Sequence, residues 1–203
     1  MRSPARLIHT DELAVFHAAR TDLYQLLFEL LRMPPREASL AELGRTLAHS
    51  TAQRQPHQSL TELGHVLSAV DVGRAATDFN ALFSGGLPAV SMRCANPGCR
   101  HRNEAFAAVE VLRGEERVGE LRVLGLLAQR TLDALVAGSL PEASILTDVQ
   151  GRFLARHAGA CLGHLVSGLR NGSSPLYSRV GVALGWLLDE DLRLLGYQEA
   201  RSP

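Results

Sequence analysis

Two cysteines and one histidine near the middle of the chain have the most metal-like spacing. Cys94 and Cys99 flank a Pro-Gly turn, and His101 follows shortly after. Zinc sites use cysteine and histidine ligands with turns between them, and a closed site needs four ligands. The third cysteine, Cys161, lies far along the chain. The spacing leaves open a metal or thiol-switch site and an ordinary loop. The missing fourth ligand favours the loop, with no bound metal or cofactor.

An acidic segment follows, in which Glu115 and Glu116 precede a predicted helix and Glu120 lies at its start. Carboxylates can bind the arginines of a partner through charge-assisted hydrogen bonds. Acidic residues are also frequent in the first turn of a helix, because the helix dipole favours negative charge there. The segment is therefore compatible with a binding site and with a charged helix start.

Three residues with metal-binding side chains, His157, Cys161 and His164, recur at helical spacing. Such a row could hold a metal, but buried cysteine behaves as a small apolar residue, so packing in the core is the favoured interpretation. The chain has no Ser-His-Asp order, phosphate-binding glycine loop or HExxH motif. These patterns predict a protein that is not an enzyme.

The composition argues against several classes of function. The chain has 21 basic and 21 acidic residues, whereas binding to nucleic acid or to a membrane surface favours a basic excess. Aromatic residues make up 5% of the chain, which leaves few side chains for base stacking. No apolar run of about 18 residues is present, and the first residues lead into no apolar signal sequence. Three cysteines without a pairing pattern are typical of a reducing cytoplasm.

The elements that would position these residues are predicted to be helices. The last third of the chain predicts a helical hairpin: a first helix beginning at a Thr147/Gln150 capping box, a corner at Asn171-Gly172, and a second helix beginning at Ser174-Pro175. Upstream, Thr10 is predicted to cap a first helix that Pro34-Pro35 ends. Further helix starts are predicted at Ser39/Glu42, Ser59/Glu62 and Asn103, and Gly138 is predicted to follow a helix end.

No segment alternates apolar and polar residues with the period of a strand, so no sheet is expected. The sequence predicts an all-α fold, a single helical bundle of roughly eight helices spanning residues 1–203. A long irregular loop rich in Gly and Pro is expected at residues 84–103, and loops of this length are often functional.

Three segments resemble the TorD/DmsD family of cytoplasmic chaperones for molybdenum-cofactor oxidoreductases. The first runs from Tyr24-Gln25-Leu26-Leu27 to Pro34-Pro35, and the second is Asp78-Phe79-Asn80-Ala81-Leu82-Phe83-Ser84-Gly85. The third comprises Phe153-Leu154-Ala155-Arg156-His157, Leu176-Tyr177 and Trp186-Leu187-Leu188-Asp189-Glu190-Asp191. The resemblance implies a TorD-like bundle that binds an apo molybdoenzyme catalytic subunit, with that subunit's twin-arginine leader peptide as a further candidate ligand.

The resemblance also implies a surface for client binding that joins these segments to the acidic one. At the acidic segment this chain differs from the family, which often carries an acidic-Pro-x-Asp-His turn there, because it has neither the proline nor the Asp-His pair. The residues predicted to bind the client are Asp78, Phe79, Phe83, Glu115, Glu116, Glu120 and His157.

Two other classes of function stay open from the sequence. A metal- or redox-sensing helical regulator would use Cys94, Cys99 and His101. A carrier would hold a small apolar ligand in the helical core. The sequence leaves both a monomer and a dimer possible, and it does not identify the client enzyme.

Overall fold

The computed structural model describes residues 10–52, 57–83, 99–109 and 119–196. These ranges contain helices and turns but no strand. The helices are α1 (Thr10–Arg32), α2 (Glu37–Ala52), α3 (Gln58–Ala69), α4 (Val72–Phe83), α5 (Arg100–Ala108), α6 (Gly119–Val136), α7 (Leu140–Phe153), α8 (Gly159–Arg170) and α9 (Pro175–Leu194).

A π-helical turn, Leu154–Ala158, joins α7 to α8 without a break, so these two helices form one continuous rod. Counted in this way, the described residues form eight helices, which confirms the prediction of an all-α bundle of about that number. None of the helices in the described ranges has the length and apolar character needed to span a membrane.

The bundle is organised around two close helix pairs. In the first pair, α1 packs against α6, and the two helices run antiparallel: Arg122 near the start of α6 lies over the ring of Phe28, while Gly125 lies opposite Tyr24, one turn earlier in α1. A Cβ atom built on Gly125 would lie 3.1 Å from the Cβ of Tyr24. The absence of a side chain at Gly125 therefore lets the two helices approach closely.

The second pair is the predicted hairpin of α8 and α9, and its corner is confirmed. α8 ends at Arg170 before Asn171-Gly172, and Ser174 caps α9 by accepting a hydrogen bond from the backbone N–H of Tyr177 at 3.4 Å. Pro175 occupies the first helical position, where a backbone N–H would have no acceptor within the helix, so the lack of one costs no hydrogen bond. The hairpin thus follows from local signals at its corner.

The remaining helices pack onto these pairs. α2 lies against α1 and α3, α3 against α9, and α5 against α7. The chain's one tryptophan, Trp186 in α9, stacks on the ring of His57 at the start of α3, with centroids 4.8 Å apart and planes 11° apart. This contact joins the start of α3 to α9.

Several predicted helix starts are wrong. Thr147 lies inside α7, where its hydroxyl donates to the carbonyl of Ala143 at 2.7 Å, and Gln150 is buried and donates to the carbonyl of Leu124 at 3.1 Å. A Thr or Ser followed three residues later by Glu or Gln marks a helix start only if its hydroxyl caps a free N–H. Inside a helix the same hydroxyl bonds back to the preceding turn.

The other capping positions are also inside helices. α2 begins at Glu37 and therefore already includes Ser39, and α3 begins at Gln58, after His57, whose ring accepts from the N–H of Ser59 at 3.3 Å. α5 begins at Arg100 rather than at Asn103. Residues 100–103, predicted as the end of the long loop, are thus helical, while residues 84–98 lie outside the described residues.

Two of the predicted helix ends, those of α1 and α6, are confirmed. α1 ends at Arg32, before Pro34-Pro35. α6 ends at Val136, and Gly138 follows with φ 75°, a left-handed conformation that glycine adopts without the steric clash of a Cβ atom. A proline or a glycine at a helix end acts through its own backbone, so its signal is less ambiguous than that of a hydroxyl.

Candidate functional site

The π-helical turn is the least regular part of the long α7–α8 rod. Its closing hydrogen bond runs from the N–H of Gly159 to the carbonyl of Leu154, five residues back. A Cβ atom on Gly159 would lie 2.8 Å from that carbonyl oxygen, closer than side-chain carbons are found to any neighbour. Gly159 therefore permits the turn, and such single π turns are frequent at functional sites. This one carries His157.

Two of the predicted binding residues meet at this turn. Nε2 of His157 lies 3.5 Å from Oε1 of Glu120, and the same oxygen lies 3.8 Å from Nε of Arg102 in α5. His157 and Glu120 are buried, whereas Arg102 keeps about a quarter of its side chain exposed (24%). The Glu120 carboxylate therefore lies in the interior between an imidazole and a guanidinium, and Arg102 is the member of this group that reaches the surface.

Aromatic rings hold the side chains of His157 and Arg102 in place. The ring of His157 stacks on Phe153, with centroids 5.4 Å apart, and Phe106 meets Phe153 edge-on at 6.3 Å. The guanidinium of Arg102 lies 4.1 Å from the centroid of Phe106, a distance typical of a cation–π contact. The cluster is thus a preorganised cation beside a buried carboxylate, and its partly exposed guanidinium could bind a polar or anionic group of a partner.

The acidic-aromatic segment lies elsewhere and joins α4 to the start of α9. The hydroxyl of Ser174 donates to Oδ2 of Asp78 at 2.6 Å, and Phe79 is 3% exposed. The ring of Phe83 lies 4.6 Å from that of Phe79 and 6.0 Å from that of Tyr177. These contacts make Asp78 and Phe79 structural, because they hold α4 on the hairpin, and leave Phe83 half-buried at the end of the helix.

The structure therefore places the predicted binding residues in two groups rather than on one face. Glu120 and His157 lie beside the π turn, before α8, whereas Asp78, Phe79 and Phe83 lie beside the corner that follows α8. α8 has 12 residues, so the groups are about 18 Å apart along it. Glu115 and Glu116 lie outside the described residues, and their predicted role stays a prediction.

The cysteine–histidine cluster can be described only in part, since Cys94 also lies outside the described residues. Cys99 is a half-buried thiol at the start of α5, and Nδ1 of His101 lies 3.8 Å from Oε2 of Glu104. Within the described ranges, no three histidine, cysteine or acidic residues are grouped so that they could hold a metal ion. The metal-binding alternative stays a prediction that rests on Cys94.

A buried ionic cluster that was not predicted from the sequence joins α1 to α9. Arg20 donates from Nε to Oδ1 of Asp191 at 2.7 Å and from Nη2 to Oδ2 at 2.5 Å, and the hydroxyl of Tyr24 donates to the same Oδ2 at 2.5 Å. Nδ1 of His17 accepts a hydrogen bond from Nη1 of Arg20 at 3.1 Å. Because a guanidinium has only donors, Nδ1 of His17 carries no proton and the ring is neutral. All four side chains are buried.

Burial and charge shift the ionisation of this cluster. Desolvation by burial, followed by the positive charge of Arg20, lowers the pKa of His17 to about 3. Burial, followed by the negative charge of Asp191, raises the pKa of Tyr24 well above its usual value. A signal was present in the sequence: Arg20 and Asp191 are charges of opposite sign on the otherwise apolar faces of two helices.

Comparisons of the chain with models of protein families, with curated proteins and with solved structures found no match.

Proposed function

We propose that the protein is a cytoplasmic, non-enzymatic chaperone that binds the apo form of a molybdoenzyme catalytic subunit and assists its maturation. The proposal starts from the three segments that resemble the TorD/DmsD chaperones, together with the all-helical fold that this resemblance implies. The observation that carries it is that residues of these separate segments contact one another.

The contacts join the third segment to each of the other two. Tyr24 of the first segment donates a hydrogen bond to Asp191 of the third. Phe79 and Phe83 of the second segment pack on Tyr177 of the third, with ring centroids 6.1 and 6.0 Å apart. Leucine-rich helices often resemble one another in sequence by chance. Chance similarity gives no reason, however, for the residues that match the family to contact one another in the fold. Their contacts support a shared core.

The π turn offers a place for client contact on such a bundle. Arg102 is held by Glu120 and Phe106 and is partly exposed, so it can bind a carboxylate or backbone carbonyl of the client without first being ordered. The acidic residues Glu115 and Glu116 precede Glu120 closely in the sequence. This proposal therefore places client recognition at the start of α6 and the π turn, and assigns Asp78 and Phe79 to holding α4 on the hairpin.

Co-purification and loss of function test the proposal together. The tagged chain is purified from its native host, and recovered proteins are identified by mass spectrometry. The expected result is stoichiometric recovery of a molybdoenzyme catalytic subunit, and low activity and molybdenum content of that enzyme in cells that lack the chain. Recovery of no oxidoreductase subunit, with normal molybdoenzyme activity in those cells, would contradict the proposal.

Two histidines on the same rod provide a matched pair of variants for the site. His157 is buried beside Glu120, whereas His164 is exposed on α8. We expect His157→Gln to lower client recovery, because it alters the group that positions Glu120 and Arg102, and His164→Gln to leave recovery unchanged. Circular dichroism confirms that both variants are folded. Stoichiometric zinc in protein purified without chelator, lost on combined Cys94→Ser and Cys99→Ser substitution, would instead favour the metal-sensing regulator.

A further inference from the structure

The guanidinium of Arg102 has hydrogen-bond donors that no residue in the described ranges uses. A guanidinium carries five N–H donors in one plane and no acceptor. Oε1 of Glu120 lies 3.8 Å from Nε of Arg102, which is too long for a hydrogen bond. The group lies 4.1 Å from the ring centroid of Phe106, and 24% of the side chain is exposed. Arg102 is therefore an oriented cation at the surface whose N–H groups can bind an acceptor of a partner.

Three further arginines lie near Arg102. α5 packs against α7 and the π turn, so its first turn, which carries Arg100, lies beside the α7–α8 rod. Arg152 in α7 points toward α5, with its Nε 3.9 Å from Oε2 of Glu104. Arg156 follows Arg152 by one helical turn and is exposed. The residues Arg100, Arg102, Arg152 and Arg156 are called the arginine surface.

The carboxylates among these arginines already have cationic partners. Glu104 accepts a hydrogen bond from Nε of Arg100 at 2.7 Å, and Arg100 is the outer member of this pair, with 85% of its side chain exposed against 31% for Glu104. Asp148 accepts a hydrogen bond from Arg152, and Glu120 is buried. These acidic residues are therefore poorly placed to bind a cation of a partner.

The size of the charge excess indicates the class of partner. The described residues of this region carry four guanidinium groups and three carboxylates, and residues 110–118, which lie outside them, carry three glutamates and two arginines. A phosphate backbone requires a large cationic excess, which this balance does not provide. A peptide carboxylate requires one guanidinium with free donors in the correct orientation. The balance therefore favours an acidic protein segment over nucleic acid.

We infer that the arginine surface binds an acidic segment of the client, with one carboxylate of that segment held by paired hydrogen bonds from Arg102. Guanidinium and carboxylate form such pairs because the spacing of their donors and acceptors matches. Little side-chain order has to be gained on binding, since Phe106 and Glu120 already hold Arg102. The exposed Arg100 binds a second carboxylate of the segment. Assignment of the segment to the client rests on the proposed function.

The test measures binding of a short synthetic peptide of glutamate and alanine to the purified full chain. The peptide carries an uncharged fluorophore, and binding is read by fluorescence anisotropy at low salt. A matched peptide with glutamine in place of glutamate is expected not to bind. The affinity for the glutamate peptide is expected to fall as salt is added, because ionic strength screens exposed charges.

Variants of two arginines separate the paired hydrogen bonds from charge alone. Arg102→Gln is expected to weaken peptide binding about tenfold, by loss of hydrogen bonds to a charged acceptor. Arg102→Lys is expected to lose most of the same affinity, because lysine keeps the charge but not the planar arrangement of donors. Arg100→Gln is expected to weaken binding about threefold, as is usual for an exposed ion pair.

Two control variants make the same change in charge away from the arginine surface. Arg45→Gln in α2 and Arg74→Gln in α4 each remove an exposed guanidinium. Each is expected to change the peptide affinity less than about twofold, because distant charges are screened. Thermal melts of all five variants show whether the fold is kept.

Four results would overturn the inference. The first is equal binding, or no binding, of the glutamate and glutamine peptides. The second is an equal loss of affinity in Arg102→Gln and in the control variants, which would mean that only overall charge matters. The third is unchanged affinity in Arg102→Lys. The fourth is tighter binding of a single-stranded oligonucleotide than of the peptide, weakened by Arg102→Gln, which would make the surface a nucleic-acid site.

Co-purification with Arg102→Gln separates this inference from the proposed function. Recovery of the molybdoenzyme subunit is expected to fall in this variant and to stay unchanged in Arg45→Gln. Full recovery with Arg102→Gln would show that the client does not use the arginine surface, while the proposed function would stand. Recovery of no oxidoreductase subunit by the unaltered chain would contradict the proposed function, whatever the peptide measurements show.

Discussion

The Arg20 guanidinium and the Asp191 carboxylate form a bidentate ion pair across 171 residues of sequence, with donor–acceptor distances of 2.7 and 2.5 Å. The side chains are 3% and 0% exposed. An ion pair removed from water gains little net stability, but removing one partner leaves an uncompensated buried charge. The pair therefore specifies how α1 and α9 meet more than it stabilises them.

Asp191→Ala is expected to destabilise the fold by about 3–5 kcal/mol, because it leaves Arg20 buried without its anion. Urea unfolding followed by circular dichroism measures the change. Glu190→Ala is the matched control, since it removes the exposed pair with Arg193 and should cost less than about 1 kcal/mol. The double variant Arg20→Met/Asp191→Leu should recover only part of the loss, because it removes the buried charge but leaves the Tyr24 hydroxyl and the His17 ring without their partners. Equal losses for the two single variants would contradict this role of the pair.

The neutral His17 predicts a loss of stability in acid. Its pKa is about 3 in the fold, lowered by burial and then by Arg20, whereas an unfolded histidine titrates near 6.5. Between about pH 6.5 and pH 3 the unfolded chain binds a proton that the fold does not, so this group lowers the free energy of unfolding by about 1.4 kcal/mol for each unit by which the pH falls.

His17→Gln tests this, because glutamine keeps an acceptor for Arg20 and does not titrate. Between pH 6 and pH 4 the unfolding free energy should fall less steeply with decreasing pH in the variant than in the unaltered chain. The difference between the two slopes should correspond to nearly one proton. The contributions of the other titrating groups to the slope are the same in both proteins and cancel in the comparison. Equal slopes would mean that His17 is protonated in the fold.

Two buried tyrosines are expected to respond in opposite ways to loss of the hydroxyl. Tyr24 donates to Asp191 at 2.5 Å, whereas the buried hydroxyl of Tyr177 has no hydrogen-bond partner among the described residues. Tyr24→Phe should cost about 1.5–3 kcal/mol, the range for a bond to a charged group, and Tyr177→Phe should be neutral or stabilising. Thermal and urea unfolding compare the two directly, and a large loss in Tyr177→Phe would show that its hydroxyl is bonded.

The same tyrosines predict a loss of stability in alkali. Burial, followed by the negative charge of Asp78, raises the pKa of Tyr177 above its usual value, and the pKa of Tyr24 is raised in the same direction. Above pH 10 the unfolded chain releases protons that the fold retains, so stability present below pH 10 is lost as pH rises. Tyr177→Phe should make this loss less steep by about half a proton on average between pH 9 and pH 11, because an unfolded tyrosine is only half ionised at pH 10. Unfolding at the two pH values measures the difference.

Two glycines of α9 provide a test of the α8–α9 contact. A Cβ atom on Gly181 would lie 2.8 Å from the Cβ of Leu169 and 3.0 Å from the backbone nitrogen of Arg170, whereas one on Gly185 would chiefly meet the guanidinium of Arg170. Gly181→Ala should cost about 1–3 kcal/mol, because a backbone cannot move aside as a side chain can.

Gly185→Ala should be close to neutral, since Arg170 is exposed and can swing outward and alanine favours the helix by about 1 kcal/mol. The unfolding free energies of the two variants are compared in urea. Similar losses in both would mean that the hairpin is packed as tightly at Gly185 as at Gly181.

Some helix boundaries could be predicted and others could not. The Asn171–Pro175 corner and the glycine after α6 carry their own backbone preferences, so their positions were confirmed. Ser59 was misassigned because His57, one residue before α3, caps that helix instead. Thr147 was misassigned, because a hydroxyl caps a free N–H or bonds back along a helix with equal ease. Which of these occurs depends on whether the helix extends further, and packing decides that.

By itself the sequence determined that the chain folds into helices, because the spacing of apolar residues along a helix is a local property. The tertiary structure decided which residues meet. It joined Arg20 to Asp191 and brought His157 to Glu120 through a π turn that no local pattern marked. It also separated Asp78 and Phe79 from that site. Contacts between distant segments depend on how whole helix faces fit together, and spacing along one helix does not record that fit.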